Sequence, residues 1–274
     1  MTPDPQRYGP AAASFWRVAA IARRHAYVLQ RSPHRLFDVV VWPAVDVVLF
    51  GSIGIFAGGK AGPGGQVALY LLVGVVLWHV VYQAQIAVAT GFLEETWSRS
   101  MLSLLVSPLH EWEYVLGVAL FGLVKLVLGV GAVALIAWLA YAFRITSLGF
   151  GLLPVAALLL AVGWAIALFV IGLVLRFGSG AEALTWGILF AVMPLSGVFY
   201  PVSALPGVLR PIGEVLPTTH AFAAGRAFAR GGPLPWDQLG LATLGTAVLL
   251  VAGLAYVGWM LRVFRARGYV TRYS

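Results

Sequence analysis

Six stretches of the chain are apolar for roughly twenty residues each, at about 37–57, 67–92, 114–142, 150–175, 183–200 and 238–261. A helix needs about 20 apolar residues to cross ~30 Å of hydrocarbon, so this spacing predicts six membrane-spanning helices in an all-α integral membrane fold. The breaks between them carry patterns of their own. Ahead of the first span, Phe15, Ala19, Ala22, Ala26 and Leu29 fall on one helical face, while Arg17, Arg24 and Arg31 repeat on the other. That predicts an N-terminal amphipathic interfacial helix ended by Pro33, or else a solvated helix packed on neighbouring loops.

Between the second and third spans, Trp97, Met101, Leu104 and Leu105 form an apolar stripe, with Glu94, Glu95, Ser98 and Arg99 off it. The pattern predicts a short helix outside the membrane over about 94–106, acidic at its start and stopped by Ser107-Pro108. One apolar and one acidic face suit it to a cleft on another protein; the plainer reading is an interfacial turn. Between the fifth and sixth spans, prolines at 194, 201, 206, 211 and 217 are too frequent for one continuous helix. Leu205, Val208, Leu209, Ile212, Val215 and Leu216 nevertheless keep an apolar face, which predicts two re-entrant external half-helices, or an ordinary interfacial loop.

Composition agrees with the spans: 61% of residues are apolar, 10% are charged, and the mean hydropathy is +0.91. The organisation expected is a cytoplasmic helix over 1–36, one membrane domain over 37–261 and a basic tail over 262–274. The net charge of +8 belongs to arginines beside spans, where they meet anionic head groups, and argues against nucleic acid as a partner. Lys and Arg number twelve on the side of the termini and five on the other. The bias places both termini and the 92–113 break in the cytoplasm of a multi-pass inner or plasma membrane protein. The first 36 residues hold six arginines and no apolar run of seven, so no cleavable signal peptide is expected. With no cysteine, disulfides and thiolate chemistry are excluded.

Candidate chemistry is sparse. Asp46 and Lys125 are read as the only ionisable residues deep within spans, roughly 13 Å and 16 Å from the cytoplasmic ends at ~1.5 Å per residue, and a buried pair between the first and third spans is expected. Trp78, Tyr82, Trp164 and Trp186 are candidate substrate-path aromatics, with core packing as the alternative. Histidines at 25, 34, 79, 110 and 220 are scattered, and no acid or histidine cluster suggests a metal or a membrane enzyme. "GGKAG" at 58–62 lacks the spacing and hydroxyl of a phosphate loop. An ion-coupled secondary transporter is disfavoured by so few membrane charges and by no evident inverted repeat.

In order and in letters the chain resembles the membrane subunits of type-2 ABC transporters, exporters of polysaccharides, lipids and drugs. A basic N-terminal helix is followed by two spans, the acidic break "LEETWSRSMLSLLVSPLHEWEYVLG", three more spans, and "MPLSGVFYPVSALPGVLRPIGEVLPTTHAFAAGR" at 193–226 before the last span. The resemblance implies that residues 94–107 are a coupling helix docking on a separate ATPase subunit, which holds ATP and Mg; no cofactor is expected in this chain. It implies re-entrant helices forming an outer gate, with Gly197, Tyr200, Pro201, Leu205, Pro206, Pro217 and His220 as its residues. It also implies pairing with a second permease copy, as a homodimer among membrane lipids, and export of an amphipathic substrate by alternating access. That substrate would be a lipid-linked oligo- or polysaccharide, a lipid or a hydrophobic drug.

Overall fold

The computed structural model of the chain describes residues 10–58, 65–97, 111–143 and 150–266, and these form nine α-helices with no strand among them. The helices are α1 (Pro10–Gln30), α2 (Pro33–Gly58), α3 (Gln66–Trp97), α4 (Glu111–Tyr141), α5 (Leu152–Phe177), α6 (Glu182–Leu195), α7 (Arg210–Val215), α8 (Pro217–Ala229) and α9 (Trp236–Ala266). Windows within α2, α3, α4, α5 and α9 are long and apolar enough to cross a bilayer: Val39–Gly58, Gln66–Leu93, Leu116–Tyr141, Leu152–Phe177 and Trp236–Val263. The protein is a multi-pass membrane protein.

The span expected at 183–200 forms the 14-residue α6, shorter than the five helices above and about 21 Å long against a hydrocarbon core of about 30 Å. Pro194 lacks the amide that would continue the ladder, and the Ser196 hydroxyl donates back to the carbonyl of Val192 at 2.7 Å. Gly197 then takes φ +71° and turns the chain away.

α3 is the centre of the bundle, packing on α5, α2, α4, α8 and α6. Gly54 lies against Ala68 while the carbonyl of Val39 meets Gln83, so α2 runs antiparallel to α3. Gly163 lies against Ala84, and Val170 and Val174 pack with Ala89 and Leu93, so α5 runs parallel to α3. The close approach at Gly163 requires the missing side chain, since a Cβ there would come 2.6 Å from both the Ala84 Cβ and the Val81 carbonyl. α6 runs antiparallel to α3, with Trp186 beside Tyr82 and Gly197 beside Tyr70. α9 packs along α5, Gly253 against Leu168. A shared core of Leu77, Trp78, Val81, Leu159, Val162 and Phe222 joins α3, α5 and α8.

α1 ends where Ser32 precedes Pro33, and Pro33 opens α2 from the first-turn position that needs no amide. The face of α1 that packs on α4 is Ala13, Val18, Ile21 and His25, joined by Leu29. The expected apolar face lies mostly off this contact: Phe15 is 65% exposed and Ala19, Ala22 and Ala26 are half-buried. Gly117 of α4 accepts Ile21 and the Val18 carbonyl at close range, which sets the phase.

Candidate functional site

Three groups of residues hold chemistry, at the two ends of α3 and at its middle. At the Tyr70 end, α7 and α8 follow the Gly197 turn. The Tyr70 hydroxyl donates to the carbonyl of Gly197 at 3.2 Å, and the Ser196 and Thr218 hydroxyls lie 2.6 Å apart. The Thr219 hydroxyl donates to the carbonyl of Gly213 at 2.6 Å, holding α8 to α7. Arg226 locks this arrangement. It is buried, it donates to the Val198 carbonyl at 2.6 Å and more weakly to the Tyr70 carbonyl at 3.5 Å, and its guanidinium stacks 3.7 Å from the Tyr70 ring centroid. Burial pushes its pKa down to about 10, leaving it cationic at neutral pH.

The expected gate residues are all in this region. Gly197, Leu205 and Pro217 are buried, Tyr200 is half-buried, and Pro201 and Pro206 are exposed. His220 is half-buried and hydrogen-bonded through Nδ1 to the side chain of Gln238 at 2.9 Å. Arg226 itself was missed as a site residue and counted only as external charge. Its signal was its place on the apolar face of "AFAAGR", in phase with Phe222.

At the middle, α3 carries three buried polar side chains, His79, Gln83 and Gln85. Pro43 has no amide to offer the carbonyl of Val39, four residues earlier in α2, and the Gln83 side chain donates to that carbonyl at 3.4 Å. The expected Asp46–Lys125 pair is corrected. The Asp46 carboxylate lies 3.5 Å from His79 Nε2, while the Lys125 ammonium sits 5.7 Å from the Phe121 ring centroid. The cause is stagger: the Val39 carbonyl of α2 meets Gln83, whereas Val118 of α4 meets Gly91. Equal depth from each helix start is not equal height, and Lys125 falls between residues facing Ala87 and Gln83. That is about 6–12 Å from His79 toward the Trp97 end of α3. Trp78 is buried, Tyr82 and Trp186 pack against its cluster with ring centroids 6.0 Å apart, and Trp164 is half-buried on α5.

At the Trp97 end, α3 runs without a break through Glu94, Glu95 and Trp97. The boundary expected near residue 93 is thus absent, and the two acids close α3 instead of opening a new helix. Ser98, Arg99, Met101, Leu104 and Leu105 lie outside the described residues. Beyond the break, Glu113 is fully buried and takes a bidentate ion pair from Arg17, at 2.8 Å from Nε and 2.7 Å from Nη2. Glu113 holds the Arg17 guanidinium above its ordinary range, chiefly through these hydrogen bonds. α1 is thereby fixed to the start of α4, a role that the expected polar face of α1 did not suggest.

A family model described as ABC-2 type transporter matches residues 17–228. The match begins in α1 and ends in α8, so it spans all three groups of residues. No curated protein matches the chain.

Proposed function

The chain belongs to the ABC-2 type transporter family, and from that membership we propose that it is an exporter permease in which α3 carries mechanical work between an inner docking helix and an outer gate. It is a permease subunit of an ABC transporter, of a family that generally partners with a separate ATPase subunit. The proposal adds the direction, the parts and the partners. The Trp97 end faces the cytoplasm, as the excess of arginines there supports. Residues 94–107 dock on the ATPase, α7 and α8 are the re-entrant outer gate, and a second copy of the chain completes the path. The cargo is amphipathic, of the class of lipid-linked glycans, lipids or hydrophobic drugs.

One observation carries the mechanism. The 32 residues of α3 form a single helix, about 48 Å long, that reaches from Tyr70, under Arg226 and Gly197, to Glu94 and Glu95 beside the break. A close-packed helix with no interruption transmits displacement rather than absorbing it. ATP-driven closure of two ATPase subunits against the breaks would tilt α3 and shift the segment tied to Tyr70, giving alternating access.

The test is to reverse Glu94 and Glu95 to lysine in a chain co-purified with the ATPase encoded beside it. The variant is expected to reach the membrane and to uncouple ATP hydrolysis from export. Undiminished export would refute the docking role.

A further inference from the structure

We propose that Asp46 and His79 form a midmembrane binding site, open on the outward face of α2, that takes a hydrogen-bond-donating head group, a primary ammonium before a hydroxyl, on the transported molecule. That the occupant is cargo rests on the permease reading; the site itself rests on the following geometry. Asp46 is the eighth residue of the span Val39–Gly58, and His79 is the fourteenth of the 28 in Gln66–Leu93, so both lie close to the midplane. Transporter sites concentrate at that depth, and ionisable side chains there face protein or water rather than lipid.

The protonation pattern defines what the site lacks. His79 Nδ1 lies 2.8 Å from the Val75 carbonyl, which accepts only, so Nδ1 carries the proton. In a neutral ring Nε2 is then an acceptor, and it faces the Asp46 carboxylate, also an acceptor, at 3.5 Å. Two convergent acceptors call for a donor between or beside them. The His79 side chain is 2% exposed but that of Asp46 is 40% exposed, so the donor arrives from the α2 surface. On that surface Trp42, Val45, Leu49 and Ile53 continue the stripe through Asp46, giving an apolar wall for the rest of an amphipathic molecule. A negative, acceptor-only site favours a cation with N–H donors over a neutral hydroxyl and rejects an anion.

The chain holds no cysteine, so Leu49→Cys places a single thiol one turn from Asp46. The full chain with its ATPase, in membrane vesicles, is treated with aminoethyl, hydroxyethyl and sulfonatoethyl methanethiosulfonate, each rate normalised to that of a free thiol. The aminoethyl reagent is expected to outpace the sulfonatoethyl one by about tenfold, the effect of one unit charge at this range in a partly solvated site. Asp46→Asn should bring that ratio near one and Asp46→Glu should keep it, while an unchanged hydroxyethyl rate shows that both variants remain folded. Labelling no faster than at Val251→Cys on α9, a ratio that Asp46→Asn leaves intact, or a leading hydroxyethyl rate would overturn the proposal. Loss of ATPase co-purification with the labelling pattern preserved would count against the permease reading alone.

Discussion

α3 and α9 each offer a 28-residue apolar stretch of equal mean hydropathy, yet over an 18-residue window of each, 78% is buried in the protein for one and 17% for the other. Water-to-lipid transfer therefore does not decide which helix becomes the centre of the bundle, because lipid tails are as apolar as leucine. What separates the two is the chemistry that lipid cannot satisfy. α3 carries His79, Gln83 and Gln85, and Gln83 completes the backbone of α2 where Pro43 leaves a carbonyl open. α9 carries Thr243 and Thr246, whose hydroxyls donate to Leu239 and Ala242 in their own helix, at 2.7 Å and 2.6 Å. The first set needs neighbours and the second does not. Small residues then permit the approach, as where α5 brings Gly163 against Ala84.

The largest expected contrast comes from one substitution made twice. Leu72→Ala removes a fully buried side chain from α3 and should lower unfolding free energy by about 2–5 kcal/mol. Leu244→Ala, at a position 64% exposed on α9, should change it by less than about 0.5 kcal/mol. Thermal unfolding in a fixed detergent reads both, and equal losses would break the comparison. A smaller contrast comes from adding volume. Gly163→Leu should cost about 1–3 kcal/mol by forcing α3 and α5 apart. Gly258→Leu on α9, where nothing lies within 4 Å of a built Cβ, should be close to neutral in the same assay. The smallest contrast is polar. Gln83→Leu should cost about 1 kcal/mol, typical of a side-chain hydrogen bond inside a membrane protein. Thr246→Val on α9 should fall below that, because the bond it removes lies within one helix turn.

These contrasts also mark what was legible in the sequence. Apolar runs gave four of the six expected spans to within a few residues of helices α3, α4, α5 and α9, and α2 began earlier, at Pro33. The fifth run gave a shorter helix than expected because hydropathy does not register Pro194 and the Gly197 turn as a stop. The face of α1 that packs on α4 was not anticipated because alanines fit either a lipid or a protein surface, and contact with Gly117 sets it. Asp46 was singled out as a costly residue, but its neighbour depends on how α2 and α4 are staggered, a tertiary quantity with no local signature. His79 was counted among the scattered histidines and not as a partner for Asp46, although it stands in the same span as Trp78 and Tyr82. Arg226 and the Arg17–Glu113 pair escaped for one reason: basic residues beside spans are usually head-group anchors, and only packing distinguishes a latch from an anchor.

The two hydrogen-bond acceptors of Arg226 are main-chain oxygens, those of Val198 and Tyr70. Every residue type supplies such an oxygen, so position 198 is free to drift among side chains without surrendering its half of the tie. The burden of inheritance falls on the cation itself and on an aromatic ring at position 70. Among diverged copies of this chain, the arginine is expected to persist while its acceptor changes identity.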